Sequence, residues 1–145
     1  MTALSFGSTN KLETFGKIMT ALKSGETVNM VFEYKKTKLF VVGVENKDVP
    51  GAIGGMTFSP WEYFAKGVVR NEKAYVLGSE THLIMHPKYK LAYNYVKTRI
   101  YEDDSVKITA EYLLTQDYTV VMDEVFKGNL SNGKDNKGIS AFIKK

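Results

Sequence analysis

The residues best suited to chemistry lie in one short segment, residues 80–87, which contains both histidines of the chain. His82 and His86 are four residues apart, and Glu80 lies two residues before the first of them. An imidazole can serve as a general base or as a metal ligand near neutral pH. The chain has no cysteine, which excludes a thiol nucleophile, a thiolate metal site and a disulfide. Any base of the imidazole type must therefore be His82 or His86.

Glu80, His82 and His86 form the candidate metal site. Their segment has the pattern of a β-strand, in which residues at even spacing point to the same face. Along a regular strand the two histidines are about 13 Å apart, too far to share one metal ion unless a bulge before Pro87 brings them closer. The alternative, which this spacing favours, is two ordinary histidines on a half-exposed strand.

Other catalytic arrangements have little support. Ser59 and Ser79 are available as nucleophiles, but neither lies in a Gly-x-Ser-x-Gly turn. Asp103 and Asp104 fall in an expected turn, where both carboxylates are solvated, and residues 123–124 would face opposite sides of a strand. We therefore identify no catalytic residue, and the sequence leans toward a protein that is not an enzyme.

One amphipathic helix opens the chain, and we predict it over about residues 11–23. Its apolar residues recur with the spacing of one helical face. Asn10 has the side chain of a good N-cap, and Glu13 follows three residues later, as in a capping box. Gly25 suits the left-handed position that ends a helix. This helix must cover an apolar surface elsewhere in the molecule.

After Gly25 the apolar residues alternate with a period of two, which indicates strands from about residue 27 to residue 143. Two long strands are expected over residues 90–101 and 106–116, joined by a short polar turn. With no later helix, the pattern predicts one domain over residues 1–145, of the α+β, mainly β class. The N-terminal helix packs on a curved antiparallel sheet or barrel of about eight strands.

The chain is rich in aromatic residues, with nine Tyr, eight Phe and one Trp. One interpretation is an aromatic-lined cavity for a small, largely apolar ligand, with a few polar groups to orient it. A second is a basic, tyrosine-rich strand that binds another protein or an anionic polymer. The third is that tyrosines simply form strands well. The candidate ligand-binding residues are Trp61, Tyr63, Tyr93, Tyr95, Arg99 and Tyr112.

Which face of the strand at residues 90–101 points inward decides whether a cavity exists. One face is small and contains Ala92, Val96 and Ile100, whereas the other contains tyrosines and two cations, Lys97 and Arg99. If the small face points inward, the barrel has room for a guest. If the tyrosine face points inward, the interior is filled.

Composition says little about the cellular location of the protein. The net charge of +4 permits attraction to anionic surfaces without requiring it. No apolar run is long enough to span a membrane, and residues 1–7 do not have the pattern of a signal peptide. A glycosylation triplet at residues 129–131, in an apparent loop, favours export. We expect a secreted or periplasmic protein, and a cytoplasmic location is compatible with the sequence.

Several segments resemble the VirK-like family. They are KLETF at residues 11–15, ALKSGETV at 21–28, VFEY at 31–34, GGMT at 54–57, LGSETHL at 77–83 and YVKTRIYEDDSV at 95–106. The resemblance extends over most of the chain. It implies a small exported protein and assigns no particular chemistry.

Together these features favour an exported, non-enzymatic binding protein with an aromatic-lined cavity for a small, largely apolar molecule. The first alternative is a metal- or histidine-dependent activity at His82 and His86. The second is an interaction module for a protein or an anionic polymer, with nucleic acid disfavoured. No cofactor is firmly indicated beyond a bound apolar molecule or, in the first alternative, a divalent metal.

Overall fold

A computed structural model describes residues 9–132 and 134–144. Its helix, α1, spans Phe15–Lys23, so the predicted start at residue 11 is wrong. Thr14, not Asn10, is the N-cap, and its hydroxyl accepts a hydrogen bond from the Lys17 backbone N–H at 3.2 Å. The segment Thr9–Leu12 is instead a short strand, because it pairs with the last strand of the chain. None of the helices in the described residues is long and apolar enough to cross a membrane.

The sheet confirms the predicted fold class, with eight strands on one continuous path that curls into a half-barrel. The order is β5-β2-β11-β10-β9-β8-β7-β6, with β1 paired to β11 and β3 paired to β10 and β4. The strands are β1 Thr9–Leu12, β2 Val28–Glu33, β3 Lys38–Val41, β4 Val44–Asn46, β5 Ile53–Thr57, β6 Trp61–Phe64, β7 Tyr75–His86, β8 Lys90–Tyr101, β9 Ser105–Leu114, β10 Val120–Leu130 and β11 Gly138–Lys144.

Two details of the sheet differ from the sequence expectation. The neighbours β10 and β11 run parallel where Asn129 and Leu130 pair with Gly138 and Ile139, so the sheet is not wholly antiparallel. The glycosylation triplet at residues 129–131, expected in a loop, begins on β10. The Ser131 side chain is buried, and its hydroxyl forms hydrogen bonds.

The apolar stripe of α1 fills one end of the curled sheet. Ile18, Met19 and Leu22 are buried against the inner face. At that end the inner face is itself buried, with Ile100 of β8 and Ile108 of β9 fully covered. Each fully buried side chain of this size stabilises the fold by about 1.5–3 kcal/mol. The core is therefore concentrated where the helix lies.

The helix is much shorter than the strands that it covers. Its nine residues span about 14 Å, whereas the twelve residues of β7 or β8 span about 40 Å. Further along the same inner face, Val96 and Ala110 are only half-buried. Part of the inner face is thus left uncovered.

Asp104, which we expected to be a solvated turn residue, anchors the helix to the sheet. It lies in the turn between β8 and β9 at a φ of 69°, and its Oδ1 accepts a hydrogen bond from the Phe15 backbone N–H at 2.7 Å. Its carbonyl oxygen accepts another from the Leu130 N–H at 3.0 Å. The first turn of α1 contains no acidic residue of its own, so Asp104 supplies the negative charge that a helix N-terminus favours.

We expect Asp104→Ala to lower the free energy of unfolding by roughly 1–2 kcal/mol, because it removes the acceptor for the Phe15 N–H and strains a left-handed backbone position. Urea unfolding at pH 7 measures this change. Asp104→Asn is the control, since asparagine keeps an acceptor oxygen and tolerates a positive φ. An alanine variant as stable as the wild type would contradict the anchoring role.

Asp103, the neighbouring acid, makes the stability depend on pH. The hydrogen bond from Lys73 Nζ, at 2.7 Å, and those from Ser105 lower the pKa of Asp103 to about 2. A lowered folded pKa contributes stability above the ordinary value of 3.8, and this contribution is lost as the pH falls through about 2.

We therefore expect Asp103→Asn to destabilise the protein above pH 4, and the difference from the wild type to disappear as the pH approaches 2. The ion pair is largely exposed, so the loss should stay below about 1 kcal/mol. Urea unfolding between pH 2 and pH 7 measures it. A difference that does not change with pH would rule out the carboxylate charge as its cause.

Candidate functional site

The uncovered part of the inner face is formed by two rows of side chains that run across β7, β8, β9 and β10. In the first row, Val96 pairs with Ala110, and Ala110 pairs with Glu124. In the second row, Asn94 pairs with Tyr112. The small side chains of Val96 and Ala110 stand beside larger neighbours. A hollow therefore forms at the middle of the two rows.

This hollow is an open cleft of about 330 Å³, a size within the range of small-molecule sites. The turn after β2 and the segment before β5 close one side of it. Most of its wall is apolar, and the polar groups are two tyrosines, one amide and one carboxylate. Its lining residues are Tyr34, Pro50, Ala52, Asn94, Val96, Ala110, Tyr112, Met122, Glu124 and Phe126.

Tyr34 is held in the wall of the cleft by aromatic packing. Its ring lies 4.5 Å from the Phe126 ring and 6.0 Å from the Phe32 ring, measured between centroids. A Cβ at Gly54 would come within 3.0 Å of the Tyr34 ring and hydroxyl, so a glycine is needed on β5 to make room for it. Burial raises the pKa of Tyr34, and the nearby Glu124 and Tyr112 raise it further.

Glu124 is the charged group of the cleft. Its side chain is half-buried, and burial raises the pKa of its carboxyl above the ordinary value of 4.5. Among the described residues no lysine, arginine or histidine forms an ion pair with it. Its charge is thus uncompensated, which suits a ligand that brings a hydrogen-bond donor or a positive charge.

The structure does not bring the candidate metal residues together. Glu80, His82 and His86 share the inner face of β7, as their spacing predicted, but β7 pairs with β8 in unbroken register, without the bulge that a shared metal would need. In the described part of the chain no group of three or more His, Cys, Asp or Glu side chains could hold a metal ion. His86 instead packs its ring 5.4 Å from Tyr112, and its Nδ1 accepts from the Lys88 backbone N–H at 3.0 Å.

The six candidate ligand-binding residues are also separated, and Tyr112 alone lines the cleft. The odd-numbered residues of β8 face outward, because even-numbered residues such as Thr98 and Ile100 are buried on the inner face. Tyr93, Tyr95 and Arg99 are therefore on the outer face. The structure therefore does not bring the six described residues together around one cavity.

The outward-facing and edge residues each have other contacts. Tyr93 stacks on Tyr118 at 6.0 Å, and the guanidinium of Arg99 lies 4.9 Å from the centre of the Tyr75 ring. On β6, Tyr63 packs on Phe15 at 6.4 Å. Trp61 packs against the core beside a small pocket of about 80 Å³. That any of them binds a ligand stays a prediction.

Sequence reasoning missed Tyr34 and Glu124, which supply two of the polar groups that line the cleft. Nothing in the linear pattern places a turn residue at position 34 over a strand that is some 90 residues away. Asn94 lies between Ala92 and Val96 on the small face of β8, and this alternation is the signal from which its inward position could be predicted. The small face does point inward, which is the arrangement that leaves room for a guest.

Comparisons with known proteins agree on one family. A family model described as VirK protein matches residues 11–118. The crystal structure of lpg1832, a VirK family protein from Legionella pneumophila, superposes with a TM-score of 0.69 and 18% sequence identity, covering 91% of this chain and 98% of that one. At this identity the structural likeness shows the fold alone. No curated protein matches the sequence.

We expect Glu124→Gln to raise the free energy of unfolding at pH 7, because it removes a charge that burial disfavours. A raised folded pKa contributes stability that is fully present below 4.5 and is lost as the pH rises through the folded pKa. The gain from glutamine should therefore disappear below pH 4.5. Thermal or urea unfolding of the wild type and the variant, at pH 7 and below pH 4.5, measures this difference in stability.

The matched control is Asp123→Asn, because Asp123 precedes Glu124 on β10 but is exposed on the opposite face. This variant should not reproduce the pH-dependent gain. A glutamine variant that is no more stable than the wild type at pH 7 would show that the cleft solvates the carboxylate fully.

Proposed function

The chain belongs to the VirK family, and from this premise we propose that it is a non-enzymatic binding protein that holds a small, largely apolar molecule in the inner cleft. The observation that carries the proposal is the hollow over Val96 and Ala110. It has apolar walls and a few convergent polar groups, which is the usual composition of a small-molecule site.

The cleft divides into two parts with different roles in binding. Val96, Ala110, Met122 and Phe126 offer apolar surface, and a ligand gains affinity by burying its apolar body against them. The preferred ligand is mostly hydrocarbon or aromatic and is small enough for a volume of about 330 Å³.

Polar groups at the margin would orient this ligand. The hydroxyls of Tyr34 and Tyr112 and the amide of Asn94 can each donate or accept a hydrogen bond. When it is ionised, the Glu124 carboxylate can only accept hydrogen bonds, so it selects a ligand with an N–H, an O–H or an amine. We propose an apolar molecule with one such donor.

The proposal includes export, as the family resemblance implies, to the periplasm or outside the cell. A histidine-dependent activity is not part of it. The Nδ1 of His86 is engaged by the backbone N–H groups of Lys88 and Tyr89, at 3.0 and 3.3 Å. Neither His82 nor His86 lines the cleft.

The direct test is to fill the cleft with a larger side chain and to measure the binding of a small apolar molecule. N-phenyl-naphthylamine, an apolar fluorophore with one N–H, should bind the wild type and fluoresce. Ala110→Phe places a ring in the hollow and should weaken this binding about tenfold or more, equivalent to ~1.4 kcal/mol. Because Ala110 is half-buried beside open space, the larger side chain should be accommodated without unfolding.

Thr109→Phe is the control, since Thr109 is the neighbour of Ala110 on β9 and faces the outer side of the sheet. It should leave fluorophore binding within about threefold of the wild type, ~0.7 kcal/mol or less. Native mass spectrometry of protein from its natural source provides the second arm, with an adduct of defined mass expected. Equal binding by both variants, or a bare polypeptide together with no fluorophore binding, would remove the cleft proposal.

A further inference from the structure

Four cationic side chains lie in one row across the outer face of the sheet. Arg99 of β8 pairs with Lys107 of β9, Lys107 pairs with Lys127 of β10, and Lys127 pairs with Lys38 of β3. Neighbouring strands are about 4.8 Å apart, so the row is about 14 Å long. We call these four residues the cationic row.

Such a row is unfavourable for the isolated protein, because like charges directly opposite each other on paired strands destabilise a sheet. Among the described residues, no aspartate or glutamate forms an ion pair with any of the four. The charges are therefore not neutralised within the described part of the chain. A partner that brings negative charges would relieve the repulsion.

Aromatic rings hold two members of the row in place. The Arg99 guanidinium lies 4.9 Å from the centre of the Tyr75 ring, and Lys127 Nζ lies 4.7 Å from the centre of the Phe40 ring. Within the described residues, Arg99 Nε is buried and has no hydrogen-bond partner. These contacts orient the cations on the outer surface instead of leaving them to move freely.

At one end the row opens into a depression of about 530 Å³. Lys38 and Lys127 belong to both the row and this depression, and Lys35, Lys36 and Lys137 also line it. Lys36 and Lys137 pair with acids, Glu33 at 2.9 Å and Asp135 at 3.6 Å. Among the described residues Lys35 forms no ion pair, so it extends the positive surface beyond the row itself.

We propose that the cationic row and its depression bind an acidic polysaccharide. The row follows the curvature of the half-barrel, so a flexible chain can track it, whereas a flat bilayer would touch a convex surface only along a narrow line. Single-stranded nucleic acid gains affinity by stacking bases on open rings. Here Arg99 and Lys127 cover the faces of Tyr75 and Phe40, so a charged polymer without bases fits better.

The test compares two variants that lose the same charge. Lys107→Gln with Lys127→Gln removes the middle of the row, and Lys66→Gln with Lys88→Gln removes two exposed lysines elsewhere. The probe is a fluorescent heparin octasaccharide, with its Kd measured by anisotropy over a series of salt concentrations. The row variant should bind about tenfold or more weakly and the control within about threefold. By analogy with phosphate polymers, the salt slope should fall by up to about two in the row variant.

A thermal melt keeps loss of binding separate from loss of folding. Removing opposed cations should leave the melting temperature of the row variant equal to or above that of the wild type. Equal weakening in both variants would show that only the bulk charge matters, and absence of heparin binding would refute the site. Tighter binding of oligothymidylate or of phosphatidylglycerol vesicles would assign the row to another partner. The cleft is not involved, so the fluorophore binding should survive in the row variant.

Discussion

The structure depends on a mismatch of length between one short helix and four long strands. A helix rises about 1.5 Å per residue and a strand about 3.3 Å. The nine residues of α1 can therefore complete a core over only part of the sheet, and the strands β7 to β10 extend well past it. The covered part provides stability through buried apolar area. The uncovered part keeps a concave, half-exposed surface, which is a physical condition for a ligand cleft.

The strand β8 shows how one segment can serve two surfaces. Its even-numbered residues, such as Asn94 and Val96, face the cleft, and its odd-numbered residues, such as Tyr95 and Arg99, face outward. A slip of one residue in its register would exchange the two sets and bury the cations. The complete pairing of β8 with β7 and β9 fixes the register. Fully buried Ile100, at the end nearest α1, holds it there.

The sequence predicted the helix and the strands well, but it predicted poorly which strands lie side by side in the sheet. The reason is physical. Alternation along residues 90–101 and the apolar stripe of α1 are local patterns, and each survives in the structure. The helix start failed because residues 9–12 pair with β11, more than 120 positions away, and this pairing outweighs the capping signal of Asn10. The cationic row and the approach of Tyr34 to Glu124 depend on the order and register of strands, which no local period specifies.

The charges are arranged asymmetrically across the sheet, and this arrangement connects the two proposed sites. The inner cleft contains a carboxylate, Glu124, whereas the outer face contains the cationic row. The net charge of +4 is thus not spread evenly over the surface. A polyanion drawn to the outer face is repelled from the cleft by Glu124, and a cationic or donor ligand is drawn to the cleft and not to the row. The two proposed ligands, a polyanion on the outer face and an apolar molecule with a donor in the cleft, can therefore occupy opposite faces of one sheet without competing, because Glu124 repels the first and the second has no negative charge for the cationic row to attract.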